Sequence, residues 1–135
     1  MRLMDMGVEP YLVASTLIGS MAQRLVRKIC PKCAAPYQPT AAEVPPDFGL
    51  KPGEKIFRGQ GCEHCRKTGY RRRSGLYELL VMNDGVSKLI NQRASVPDII
   101  AASRESGLRL LREDGWMKVR NGITTVEEVL KCTAL

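Results

Sequence analysis

A chain of 135 residues is long enough for one domain with a real core, or for two small units. An apolar share of 44% and a charged share of 26% are ordinary for a globular protein, and no run approaches the roughly 18 consecutive apolar residues of a membrane-spanning helix. The net charge of +7 suits an anionic partner, whether nucleic acid, acidic lipid or acidic protein, and equally a solvated basic face with no partner.

The first nine residues begin abruptly. Leu3, Met4 and Met6 are apolar enough to pack but are followed at once by Gly7, so this segment reads as the tail of an element and the chain as an excised piece. Its apolar run is too short for a secretory signal. Glu9-Pro10 opens a predicted helix, with proline tolerated in the first turn. Val13, Leu17, Met21, Leu25 and Ile29 recur every four residues, with Ala14, Ile18, Ala22 and Val26 beside them. That period predicts one long amphipathic helix through Ile29, its polar face carrying Arg24 and Arg27. Gly19 weakens the helix and permits close approach of another backbone. Pro31 ends it.

Two cysteine pairs follow, Cys30-Pro-Lys-Cys33 and Cys62-Glu-His-Cys65. A two-residue gap lets a tight turn present both thiolates from one side, and two such knuckles make a closed tetrahedral site for one zinc ion of the structural kind. A redox CxxC would need a βαβ setting, and none is visible. His64 lies between two of the cysteines, but four cysteines already fill the coordination shell. The segment Ala34 to Gly61 holds five of the eight prolines and few apolar residues: Val44, Phe48, Leu50, Ile56 and Phe57. It is expected to be an excursion clipped at its root by the metal, short of packing of its own. Reduced cysteine pairs and an odd fifth one, Cys132, fit a reducing compartment, with Cys132 a small apolar residue in a helix.

Basic residues flank both knuckles. Arg24, Arg27, Lys28 and Lys32 lie at the first; Arg66, Lys67, Arg71, Arg72 and Arg73 follow the second, opposed only by Glu63. Folding around one metal would gather them on one surface, and part of that charge offsets the 2− of a zinc tetrathiolate. Arg24, Arg27, Arg71, Arg72 and Arg73 are the candidate interface residues, facing protein, anionic lipid or only solvent. Nucleic acid is not expected, because Tyr70 is the only stacking residue within the basic runs.

Gly69 and Gly75 bracket an expected basic turn. Leu76–Met82 reads as a strand, with Glu54–Arg58 its expected partner. Helices are predicted over Val86 to Gln92 with Asn83 or Asp84 as its cap, from Ser95 onwards, from Leu108 to Arg120, and after a capping box at Thr125-Val-Glu-Glu128. These later helices are expected to form one small bundle with its own core. The resulting division is residues 1–29, the metal module at 30–82 and a helical part at 83–135, a mostly α chain with a small β-containing module (α+β).

No GxxxxGKS or GxxxxGKT, GxGxxG or HExxH occurs, and the lone histidine is committed to a knuckle, so no catalytic set can be assembled. The stretches Leu3 to Ser15, Ala22 to Arg27, the two CxxC pairs, Arg66 to Leu80 and Asp114 to Leu130 together resemble the C-terminal part of the type II secretion ATPases, with the type IV pilus assembly ATPases closely similar. The resemblance covers essentially the whole chain, and the Gln23 to Arg27 wording leans to the secretion branch.

The resemblance implies a piece of a RecA-like P-loop ATPase that lacks the nucleotide-binding core. The parent is then a cytoplasmic homohexamer, held at the inner membrane through platform proteins, that hydrolyses ATP to drive pseudopilus assembly. Cys30, Cys33, Cys62 and Cys65 match the family's zinc ligands one for one. ATP and magnesium belong to the full-length parent, because the phosphate loop, acidic boxes and histidine box of the family lie before Met1. Arg72 stands where the family has glycine, which makes that turn stiffer and more basic. The alternatives are a pilus-assembly ATPase piece or a free-standing zinc ribbon that binds nucleic acid.

Overall fold

A computed structural model describes residues 2–133. The elements in order are α1 (Arg2–Asp5), α2 (Pro10–Thr16), β1 (Gly19–Ile29), β2 (Ala34–Tyr37), β3 (Ile56–Gly59), β4 (Tyr70–Val81), α3 (Asp84–Asn91), α4 (Val96–Glu105), α5 (Leu111–Arg120) and α6 (Val126–Thr133). Short 3-10 turns lie at Pro46–Phe48 and Glu63–Cys65. The fold is mixed α/β with two small two-stranded sheets, β1 with β4 and β2 with β3.

The expected long helix is the main correction. Only Pro10–Thr16 is helical, and the chain then enters β1. The apolar period of four is real in the sequence, but pairing with β4 overrides it. Met21 and Leu25, which would complete a helical stripe, are 62% and 56% exposed, while Val26 and Ile29 are buried. Gly19 has a definite role here: a Cβ at this position would lie 2.9 Å from the Leu80 carbonyl oxygen. The close backbone approach is therefore that of a neighbouring strand rather than a helix.

The strand partners also differ from expectation. β3 pairs antiparallel with β2, Ala34 opposite Gly59 and Tyr37 opposite Ile56, and β4 pairs with β1. Each knuckle follows or precedes one of these strands, so the metal module closes on itself. Arg71 to Arg73 are strand residues within β4 rather than a free turn. Arg72 nonetheless has φ of 66°, the left-handed region in which glycine is unstrained, and bears a side chain there.

Two units emerge from the packing. One comprises the described residues up to Ala22 together with Glu78–Leu110; the other is Gln23–Tyr77 with the described residues from Leu111. They interleave in sequence, unlike the serial segments 1–29, 30–82 and 83–135, because the cuts fall inside β1 and β4. In the first unit Val13, Val86, Ile90 and Ile99 are buried together, with Met4, Leu17, Leu80 and Met82 packed around them. Asn83 caps α3 by accepting from the Val86 N–H at 2.8 Å, and Ser95 caps α4.

In the second unit the core is Val26, Val44, Phe48, Ile56, Leu76, Trp116, Val119, Val126 and Val129. The later helices therefore do not form one bundle: α3 and α4 belong to the first unit, α5 and α6 to the second. Nor is the proline-rich stretch an empty excursion. Val44, Phe48 and Ile56 are buried, and the Phe48 ring meets Trp116 edge-on at 5.4 Å. Asp47 accepts from the Arg112 guanidinium and from Trp116 Nε1, and Glu54 accepts from Arg120. A few well-placed apolar residues, pinned by ion pairs to α5, bury what the composition makes look exposed.

Candidate metal centre

The first knuckle is an extension of β1. Cys30 directly follows Ile29, and its N–H donates to the Gly69 carbonyl at 2.9 Å. Cys33 closes a turn through its N–H to the Cys30 carbonyl, and Cys65 does the same to Cys62, both at 3.2 Å. Gln60, just after β3, donates to the Cys33 carbonyl and so ties the two knuckles together. Where they meet, backbone lies on backbone. A Cβ at Gly59 would sit 2.0 Å from the Gly69 oxygen, which no side chain could survive.

The four sulfurs lie within 4.8 Å of one another. Cys30 and Cys62 are 3.9 Å apart, Cys33 and Cys65 3.8 Å, and Cys62 and Cys65 3.7 Å. A regular tetrahedron with metal–sulfur bonds of about 2.3 Å has edges of about 3.8 Å. The set is therefore at coordination distance and too far apart for disulfides, whose bond is about 2.05 Å. The backbone N–H groups of Cys62 and Gly69 both point at Cys65 Sγ, at 3.2 Å each. Such donors favour a charged sulfur.

Electrostatics agree with the donor set. Burial works against the Cys65 thiolate, but the donors from Cys62 and Gly69 outweigh it and bring its pKa down to about 6. At Cys33, burial dominates, and its neighbouring sulfurs add to it, pushing the pKa up to about 12. By itself the Cys33 thiol keeps its proton at neutral pH; a cation among the sulfurs can remove it. Two cysteines are buried and two half-buried, and the closed, all-sulfur set leaves no protein-free corner for a substrate. The cluster can coordinate a metal ion in a structural manner.

His64 is exposed and stands outside the sulfur cluster; its carbonyl accepts from Arg71. Partial desolvation, then Arg71, Lys32 and Arg72, holds its imidazole below its ordinary pKa. Cys132 is half-buried in α6 and donates to the Glu128 carbonyl at 2.9 Å, away from the metal set.

The basic residues divide. Arg27 is internally committed: its backbone N–H and guanidinium both donate to Glu128, at 2.9 and 2.7 Å, and the guanidinium lies 4.1 Å over the Tyr70 ring. Glu128 consequently does not return to complete a capping box. Thr125 makes only a long 3.4 Å bond to the Glu128 N–H. Arg24 is exposed and, among the described residues, reaches the Gln23 carbonyl. Arg71, Arg72 and Arg73 share a shallow recess with Arg27 and Tyr70, whereas Arg24 is not among its lining. The donors at Gly69 and the backbone contact at Gly59 escaped the sequence reading. Gly59, Gly61 and Gly69, all flanking the second knuckle, are their only trace in the sequence.

Against this geometry, the sequence pattern described as "Type II/IV secretion system protein" matches residues 1–131. The chain belongs to that family. It is 44% identical to the type II secretion system protein E of Pseudomonas aeruginosa, over 98% of this chain and 26% of that protein. It is 42% identical to the type II secretion system ATPase E of Vibrio cholerae, over 98% and 26%. It is 41% identical to the type IV pilus assembly ATPase PilB of Thermus thermophilus, over 98% of this chain and 15% of that protein. The chain thus spans about a quarter or less of the length of these family members. Among the described residues no helix is long and apolar enough to cross a membrane.

Proposed function

We propose that this chain is the zinc-bearing C-terminal part of an ATPase that powers type II protein secretion by driving pseudopilus assembly. The carrying observation is the tetracysteine cluster at tetrahedral spacing, within a chain that shares its full length with type II secretion relatives. Zinc is the metal that best suits four thiolates in a closed tetrahedron, because it needs no particular d-electron geometry and no redox partner. Cys30, Cys33, Cys62 and Cys65 are its ligands. The role of this part is structural. The 135 residues contain no phosphate-binding loop, so ATP and magnesium are bound and turned over by other parts of the full-length protein.

On this reading the parent works on the cytoplasmic side, as a homohexamer docked at the inner membrane through platform proteins. The exposed basic residues Arg24, Arg71, Arg72 and Arg73 face a protein partner, with anionic lipid as the other candidate surface. Arg27 belongs to the same cluster, but its pairing with Glu128 makes it chiefly an internal tie. The match to the Thermus pilus-assembly ATPase supports a second reading, in which the same module serves pilus assembly.

The test has two parts. Elemental analysis should find near one zinc per chain, with four sulfurs at about 2.3 Å by X-ray absorption. In the full-length protein, changing Cys30 and Cys33 to serine should abolish assembly and ATPase rate together. A protein that folds with four free thiols and no metal sinks the zinc reading, and a cysteine variant of undiminished rate sinks the structural role.

A further inference from the structure

Beside the metal knuckles lies a cavity of about 630 Å³ that neither the metal nor the apolar core uses. Its floor is apolar: Ile29, Phe57 and Ile123. Its rim carries Lys28, Arg71 and Arg72, and no lining residue is acidic. The floor is fixed in place, because the Ile29 N–H donates to the Ile123 carbonyl at 2.9 Å and Cys30 is bonded to Gly69. Arg71 spends one donor on the His64 carbonyl. Neither Lys28 nor Arg72 has a carboxylate partner among the described residues, although other arginines of this unit are paired with Asp47, Glu54 or Glu128. Arg72, moreover, holds its side chain at the rim from a left-handed backbone.

We propose that this cavity takes an acidic peptide segment of a partner protein, with an apolar side chain on Ile29, Phe57 and Ile123 and flanking carboxylates on Lys28, Arg71 and Arg72. The proposal rests on the reading of the basic cluster as a protein interface, and it supplies the chemistry of the partner. The volume lies within the range of about 300–1,000 Å³ usual for a ligand site and accommodates a few residues. Guanidinium forks match carboxylates, and the apolar floor gives an anchor that simple charge attraction would not need. A nucleotide fits less well. Of the two aromatic rings in the lining, Phe57 has its edge against Gly122 and His64 is exposed, and the single lining glycine, Gly122, makes no glycine-rich nest of N–H groups for a phosphate. A membrane surface is flat on the scale of this cavity and would leave its concave floor unfilled.

The experiment uses the zinc-loaded 135-residue chain and a fluorescein-labelled pentapeptide, EELEE, followed by anisotropy. EEGEE lacks the apolar anchor and KKLKK the charge; vesicles containing phosphatidylglycerol form a separate arm. EELEE should bind, and both control peptides should be weaker by roughly tenfold. Arg72→Gly removes a rim charge where glycine suits the backbone, so it should weaken EELEE binding by roughly tenfold while Tm is no lower. Lys28→Glu should weaken it at least as much, with zinc content unchanged. Equal binding of EEGEE, undiminished binding by Arg72→Gly, or capture by vesicles but not by peptide would each overturn the proposal. Zinc content, measured in every variant, keeps such a failure separate from failure of the metal reading.

Discussion

In the unit built from α2, α3 and α4, order comes from four buried aliphatic residues, Val13, Val86, Ile90 and Ile99, and from side-chain caps at Asn83 and Ser95. In the unit with the cysteines, a larger apolar core around Phe48, Trp116 and Val129 is joined to a sulfur cluster and to buried or half-buried ion pairs. The first unit has no cluster of metal-ligating side chains among the described residues. The second has long stretches of irregular chain, tied by Asp47 and Glu54 reaching α5 and by Glu128 reaching β1, and its sulfur cluster can add a metal clip. A small core with much loop needs such ties, because each ordered residue costs roughly 1–2 kcal/mol of backbone entropy.

Metal removal should separate the two units most sharply. Structural zinc in small domains binds with about 10–16 kcal/mol, as much as the whole stability of a typical domain. Chelation under reducing conditions should therefore strip hydrogen-exchange protection from the knuckles and also from α5 and α6, through Val119 and Val129. Val86 to Ile99 should keep theirs. Trp116, the single tryptophan, reports on the second unit alone. Retained protection in α5 and α6 after chelation would show that their core stands without the clip.

A smaller effect distinguishes packing from metal within the second unit. Phe48→Ala, in the proline-rich stretch, should cost about 3–5 kcal/mol, as for a core aromatic. Denaturant unfolding followed by Trp116 fluorescence, with zinc saturating, measures it. A cost below roughly 1 kcal/mol, the level of an ordinary surface change, would return this stretch to the status of a clipped loop.

The smallest effect is pH-dependent. The Arg27 guanidinium, with the Arg27 N–H, holds the Glu128 carboxyl below its ordinary range against the opposing effect of burial. A depressed folded pKa adds stability above the unfolded value of about 4.3, and that stability is lost as pH falls through the folded value. Glu128→Gln should thus cost about 1–3 kcal/mol at neutral pH. The gap between the two proteins should narrow as acid is added, while acid release of the metal affects both alike. A gap that stays constant with pH would mean that shape, not charge, joins Arg27 to Glu128.

The spacing of Cys30, Cys33, Cys62 and Cys65 made the four-sulfur cluster legible, since two-residue gaps constrain a turn locally and leave little for the rest of the fold to alter. The start of α2 at Pro10 and the regions of α3 and α4 were equally legible, because caps and proline act within one turn. Other features were settled only by tertiary structure. Residues 19–29 carry a helical period yet become β1, since hydrogen bonding to β4 outweighs the weak preferences of single residues. The partner of β3, the burial of Phe48 and the diversion of Glu128 from its cap to Arg27 join positions tens of residues apart. No local pattern encodes such contacts. They form because burial and pairing are settled by which distant surfaces meet, and that is a property of the whole folded unit.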